Sequence, residues 1–235
     1  MTLDPRLFAL NPAAQLKVET TPAGVPVLIV DDFYADPHAV RATALGGQFD
    51  ASIAYYPGMH SRIDAGSTRD LFATLSRMLS LLGDVRARPE HFWTDFSIVT
   101  TPAAQMLAKQ KHPHIDPTPL AGLVYLNPDF EVGTCFFRHV ATGLAVIRTP
   151  EESHRYGEWM EAHGEACQPT TYAVGDDGVW ERLYRVQGRF NRFVMYAGNA
   201  FHSIDMRDVA ANPTLAQARL TQRLFLGQLD NPAST

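Results

Sequence analysis

Lysine is nearly missing from this chain of 235 residues: Lys17, Lys109 and Lys111 are the only three. Arginine supplies the rest of the 20 basic residues, against 25 acidic ones, and the formal net charge is −5. That balance gives no electrostatic drive toward nucleic acid or an anionic membrane surface, and neither is expected as a partner. Cysteine is also scarce. Cys135 and Cys167 stand alone, outside any Cys-x-x-Cys pair, which argues against a disulfide framework and predicts two free thiols in a reducing compartment. No apolar run approaches the length of a membrane span. The opening Met1-Thr2-Leu3-Asp4-Pro5-Arg6 has no basic region followed by an apolar stretch, so no signal peptide is expected and the cytoplasm is the expected location. A glycine-rich phosphate loop after a strand is missing too, which argues against a nucleotide-binding α/β fold. There is no internal repeat and no low-complexity segment.

The residues that are present predict helices early and strands late. Pro5, Pro12 and Pro22 break up the first twenty or so residues. Pro26-Val27-Leu28-Ile29-Val30 reads as a short buried strand. Asp36-Pro37 supplies an N-cap and a first-turn proline for a helix through Leu45, and Gly46-Gly47 ends it. Residues 48–67 read as loop, in which Tyr55-Tyr56-Pro57-Gly58-Met59-His60-Ser61-Arg62 either lines a pocket or packs as a surface loop. From Thr68 to Leu82 the apolar residues fall at helical spacing, and Gly83 stops the run. Strands are expected at 92–99, 120–127, 133–139, 180–187, 192–196 and 219–226. The less apolar insert 150–180 begins with a helix from Glu151 to His163. Trp93, Phe96 and Cys135 are expected in the core, and His154 and His163 facing solvent. The order predicts one α+β, mainly β domain over 1–235. It comprises helical support over 1–91 and an antiparallel double-sheet jelly roll over 92–226.

The stretch Lys111-His112-Pro113-His114-Ile115-Asp116-Pro117 carries the most chemistry. In extended chain, His114 and Asp116 project to the same face. A second histidine would complete a set of two imidazoles and one carboxylate, which favours ferrous iron and leaves coordination positions open. His202, 88 residues further on, is the best partner. His112 is a neighbour outside the ligand set, or a replacement for His114 if the register differs by two. His139, after Arg138, is a substrate contact or an exposed rim residue. Asp205 is an orienting partner for an imidazole or a turn residue.

Five segments in this order resemble the 2-oxoglutarate/Fe(II)-dependent oxygenase superfamily, prolyl-4-hydroxylase-like. They are His114-Ile115-Asp116, Tyr125-Leu126-Asn127, Gly133-Thr134-Cys135-Phe136, His202 and Arg219-Leu220-Thr221. More narrowly, and over nearly the whole chain, the sequence is similar to an uncharacterised branch with some members encoded near tryptophan-halogenase-like genes. That likeness includes Asp31-Asp32-Phe33 and Tyr56-Pro57-Gly58. The resemblance implies a double-stranded β-helix (jelly roll, cupin-like) with N-terminal buttressing helices. It implies Fe(II) as cofactor on His114, Asp116 and His202, with 2-oxoglutarate and O2 as cosubstrates. The expected activity is hydroxylation of an amino acid, peptide or other small molecule. Asp116 is present, so the halide-binding variant is not implied. The far carboxylate of 2-oxoglutarate would need a buried cation, and arginine grips a carboxylate through two parallel hydrogen bonds. Arg219, Thr221 and Arg223 alternate along one strand and share a face. Arg219 is the expected anchor, with Thr221 adding a hydroxyl, Tyr125 a phenol, and Arg223 as the alternative. Arg219 follows His202 by 17 residues, longer than the family norm, the extra length falling in the loop Asp208 to Pro213.

Two rival functions remain open from the sequence. One is a metal-dependent cupin-type enzyme that does not use 2-oxoglutarate, in which Arg219 and Arg223 are structural. The other is a non-catalytic jelly-roll binding protein. Oligomeric state is left open, a homodimer included.

Overall fold

Alternation along single strands sets the architecture of the computed structural model. It describes residues 1–51, 58–79, 86–129, 131–173, 175, 177–209, 213–227 and 229–230. Successive side chains of a strand point to opposite faces. In β1 (Gln15–Thr20) both faces are largely exposed, whereas β2 (Pro26–Asp31) is buried on both. The remaining strands are β3 (Met59–Arg62), β4 (Arg86–Ala87), β5 (Phe92–Val99), β6 (Leu120–Tyr125), β7 (Thr134–His139), β8 (Trp180–Val186), β9 (Phe193–Ala197), β10 (His202–Ile204), β11 (Arg219–Leu226) and β12 (Leu229–Asp230). Every described strand pairing is antiparallel. A seven-stranded sheet runs β1-β2-β9-β6-β11-β5-β3, and a three-stranded sheet runs β10-β7-β8; β12 and β4 form a separate pair.

Helices cover the outer faces of the two sheets. On the large sheet, Leu28, Val30, Phe193, Met195, Leu220 and Leu224 pack with Val40 and Ala44 of helix α1 (Pro37–Leu45) and Leu71, Leu75 and Leu79 of α2 (Arg69–Leu79). α1 starts where the sequence places it: Asp36 caps the Ala39 N–H at 2.9 Å, and Pro37 opens the first turn. α3 is a single turn (Ala108–Lys111). α4 (Pro150–His163) opens with Thr149 and Glu152 capping each other's backbone, and its Tyr156 packs on the outer face of the small sheet beside Phe137, Trp180 and Phe201. Between the sheets, Val27, Ile29, Val194 and Tyr196 of the large sheet meet Phe136 and Val186 of the small one. The chain is therefore a mixed α/β protein built mainly of antiparallel strands. Among the described residues no helix is long and apolar enough to cross a membrane, and both cysteines are free, Cys135 buried among Phe137 and Trp180.

Two expectations are corrected. The first 91 residues are not mainly helical support: β1, β2 and β3 extend the same sheet that holds β5, β6, β9 and β11. Residues 48–67 are not all loop, since β3 pairs with β5 and a turn of 3-10 helix follows at Ala65–Thr68. Tyr55, Tyr56, Pro57, Leu82, Gly83 and the loop residues 210–212 lie outside the described residues.

Candidate functional site

Two of the three proposed ligands are placed by backbone pairing. His114 and His202 form one antiparallel bridge: each N–H donates to the other's carbonyl at 2.9 Å. Directly opposed residues in such a pair project to the same side, and the two imidazole centroids lie 4.4 Å apart. The pairing adds residue 114 to the free edge of β10. Asp116 is set by the next contact, its N–H donating to the Gly198 carbonyl at 2.8 Å. Gly198 is required there, because a Cβ would lie 2.0 Å from the Thr118 carbonyl oxygen and 3.3 Å from the Asp116 side chain. His114, Asp116 and His202 each offer one ligand atom, all within 4.8 Å of one another. Asp116 Oδ2 lies 3.3 Å from His202 Nε2, and Oδ1 lies 4.0 Å from His114 Nε2.

The protonation pattern suits a cation. His202 Nδ1 lies 2.9 Å from the Ala200 carbonyl; a carbonyl only accepts, so Nδ1 donates there and Nε2 is the ring nitrogen turned toward Asp116. Burial, reinforced by the neighbouring His202, pushes His114 down to about 3. It is therefore a neutral imidazole at ordinary pH. Burial pushes the Asp116 carboxyl up, but His202, His114 and Arg223 outweigh it and hold the group below its usual value, as the anion.

The ligands open onto a cavity of about 450 Å³ between the sheets. Its floor is part of the inner face of the large sheet, and strand register divides that face into rows. Trp93, Phe225, Ala121 and Tyr196 are successive cross-strand partners in one row; Asp95, Arg223 and Leu123 form the next; Ser97, Thr221 and Tyr125 the third. Arg219 lies beyond them, paired with Val99, and is 6% exposed.

The anchor candidates differ in what already holds them. Arg223 makes a two-pronged ion pair with Asp95, Nε to Oδ1 at 2.8 Å and a terminal nitrogen to Oδ2 at 2.6 Å. Arg219 lines the cavity with its guanidinium 5.7 Å from the Tyr125 ring centroid. Tyr125 does not line the cavity. Its hydroxyl lies 2.9 Å from Thr134 Oγ1, and burial pushes its pKa up to about 12, against the pull of Arg219. Thr221 is buried in the cavity wall. Asn127, the third residue of the Tyr-Leu-Asn segment, has a role that sequence reasoning missed. Its side chain donates to the Ala218 carbonyl at 2.9 Å and accepts from the Leu220 N–H at 2.7 Å. It therefore holds the backbone on both sides of Arg219.

Other residues singled out in the sequence lie elsewhere. Trp93 is not core: it is 47% exposed at the cavity, whereas Phe96 is fully buried behind the sheet. Asp205 orients no imidazole but pairs with Arg185. His112 faces away from the ligands. Trp180 Nε1 donates to its Nδ1 at 3.0 Å, and its Nε2 donates to the Gly164 carbonyl at 2.8 Å. His154 is exposed beside Glu158, and His163 stacks on Trp159.

His139 is neither a substrate contact nor an exposed rim residue: it is fully buried on the outer face of the small sheet, ringed by Tyr156, Trp159 and Trp180. Burial, then the nearby His112, pushes its pKa down to about 4. The unfolded chain therefore takes up this proton first, near pH 6.5. The stability involved is complete above that pH and is lost as pH falls toward 4. Denaturant titrations at pH 7.5 and pH 5 should differ, and His139→Phe should narrow the gap by about 2 kcal/mol. An unchanged gap would assign the acid sensitivity to other groups.

Neither a curated protein nor a solved structure matches the chain. A family model does, over residues 12–226, and its description is a family of unknown function, DUF6445. The matched segment contains both the seven-stranded and three-stranded sheets together with His114, Asp116, His202 and Arg219. The chain belongs to this DUF6445 family.

Proposed function

We propose that the protein is an Fe(II)- and 2-oxoglutarate-dependent oxygenase that hydroxylates a small-molecule or peptide substrate, on a double-stranded β-helix scaffold. One observation carries it. Two imidazoles and a carboxylate from distant parts of the chain converge within 4.8 Å, and a buried arginine, Arg219, lines the same cavity. The donor set fits the metal: Nε2 of His202, a neutral His114 and an ionised Asp116 supply two nitrogens and one oxygen and leave the cavity side open. Bound there, Fe(II) with 2-oxoglutarate and O2 supplies the oxidising power for C–H hydroxylation, with succinate and CO2 as co-products. The chain's own part is to hold and orient. Arg219 would take the far carboxylate of 2-oxoglutarate as a charge-assisted pair, with Thr221 donating a hydroxyl beside it. Apolar walls exclude water from the reacting bond. Two antiparallel sheets facing each other, with His114 and His202 paired at one edge, support the jelly-roll reading of the fold.

Anaerobic addition of Fe(II) and then 2-oxoglutarate should produce a visible metal-to-ligand charge-transfer band in the wild type and none in His202→Ala. An equal band in both, or none in the wild type, would remove the oxygenase assignment. Metal binding and turnover that ignore 2-oxoglutarate would point instead to a cupin-type metalloenzyme.

A further inference from the structure

Two guanidiniums face one cavity, and the proposed cosubstrate needs only one of them. Arg219 and Arg223 stand on the same strand, β11, and both line the cavity. At about 3.4 Å per residue their backbone positions are roughly 14 Å apart, farther than a five-carbon diacid is long. Arg223 is held in advance on two sides. Asp95, its direct partner on β5, takes the side-on edge of the guanidinium, Nε at 2.8 Å and one terminal nitrogen at 2.6 Å. The guanidinium also lies over the Phe225 ring, 5.3 Å from its centroid. The end-on edge, between the two terminal nitrogens, meets no acceptor among the described residues. On the flank away from Asp95 the row continues with Leu123 and Val194, both apolar. The Arg223 side chain is nonetheless 23% exposed, so it is reachable from the cavity. Across that space its charge is felt by both His114 and Asp116.

The geometry points to a substrate class: the primary substrate is a carboxylic acid, and its carboxylate docks on the end-on edge of Arg223. The inference rests on the cavity being the active site proposed above. A guanidinium is a planar fork that matches a carboxylate through two parallel hydrogen bonds, and one edge can serve a ligand while another stays on a protein carboxylate. Asp95 and Phe225 already fix this fork, so a ligand meets it with little rotamer freedom left to lose. Asp95 also offsets the long-range charge of Arg223, so the attraction comes from donors at contact distance rather than from a field. Charge-assisted hydrogen bonds of this kind should favour an acid over its neutral amide by about tenfold. Arg219 then serves the cosubstrate and Arg223 selects the substrate, from one face of one strand.

The test compares two matched probes, N-acetyl-leucine and N-acetyl-leucinamide, binding to the full chain by ligand-observed NMR. It is run without added metal or keto acid, so that a failed oxygenase assignment and a failed anion site give different results. The acid should bind about tenfold more tightly than the amide. That preference should survive in Arg219→Ala and vanish in the double variant Asp95→Asn/Arg223→Gln. The double variant exchanges an ion pair for a pair of amides, which leaves the net charge unchanged and no charge unpaired. Leu123→Glu is a second, independent probe. It sets a carboxylate beside Arg223 from the neighbouring strand, at cross-strand pair distance, and should abolish the preference with Asp95 and Arg223 both in place. Leu123 is only half-buried, and thermal melts close to wild type would show that each variant folds. Equal binding of acid and amide, no binding of the acid, or a preference that is lost in Arg219→Ala yet kept in the folded variants at 95/223 and 123 would overturn the inference. Acid selectivity through Arg223 in a protein that gives no charge-transfer band would sustain the anion site and remove the oxygenase.

Discussion

Arg219→Ala should raise the dissociation constant for 2-oxoglutarate on the order of a hundredfold, because a desolvated carboxylate would lose its counter-charge. Arg223→Ala should change that constant far less. Its guanidinium is already engaged on two sides by Asp95; removing it strips a carboxylate of its partner and costs stability, not keto-acid affinity. Titrating 2-oxoglutarate into the Fe(II)-loaded variants and following succinate release in the absence of substrate separates the two. If Arg223→Ala is the variant that loses 2-oxoglutarate, the anchor is two rows nearer the mouth, and Asp95 must release it when the cosubstrate arrives. Thr221→Val should give an intermediate loss, the share of one neutral donor.

Trp180→Ala is expected to destabilise the fold by about 3–5 kcal/mol, the range for deleting a large buried aromatic. Trp180 is fully buried and packs against Phe137, His139, Tyr156 and Phe201, tying α4 to the small sheet. Its indole also supplies the hydrogen bond that fixes His112, two residues before His114. Trp180→Phe keeps most of the packing and loses that bond, so it should cost nearer 1 kcal/mol. Urea titration of both variants measures this directly. Equal losses would mean that the hydrogen bond, not the ring packing, secures this side of the molecule.

Much of the candidate site was legible because it depends on side-chain chemistry and a period of two. His114 and Asp116 share a face as their spacing requires, and Arg219, Thr221, Arg223 and Phe225 share the inner face of β11 as strict alternation requires. The strands lost to sequence reasoning were those with little apolar contrast. β1 does alternate, with Leu16 and Val18 against Lys17 and Glu19, but it lies at a sheet edge, and Pro12 and Pro22 fall just outside it. β3 buries His60 and Ser61, both polar, beside Asp95, so no hydrophobic period marks it. The choice between the arginines was not legible, because both face the same side of one strand. Only the cross-strand register, which sets Asp95 opposite Arg223, distinguishes them. Trp93 was misassigned for the reverse reason. Its type and strand setting suggest core, but its alternation phase is that of the cavity floor rather than the buried face of Phe96.

Residues 114 and 202 exchange both of their main-chain hydrogen bonds. The spacing of the two imidazoles is thereby a property of β-pairing, settled when the polypeptide folds and independent of any ion. On the oxygenase proposal, iron supply should therefore govern occupancy after synthesis rather than yield of folded material. Cells starved of the metal are expected to accumulate intact, loadable protein that is restored by adding the ion, without a chaperone or a refolding step.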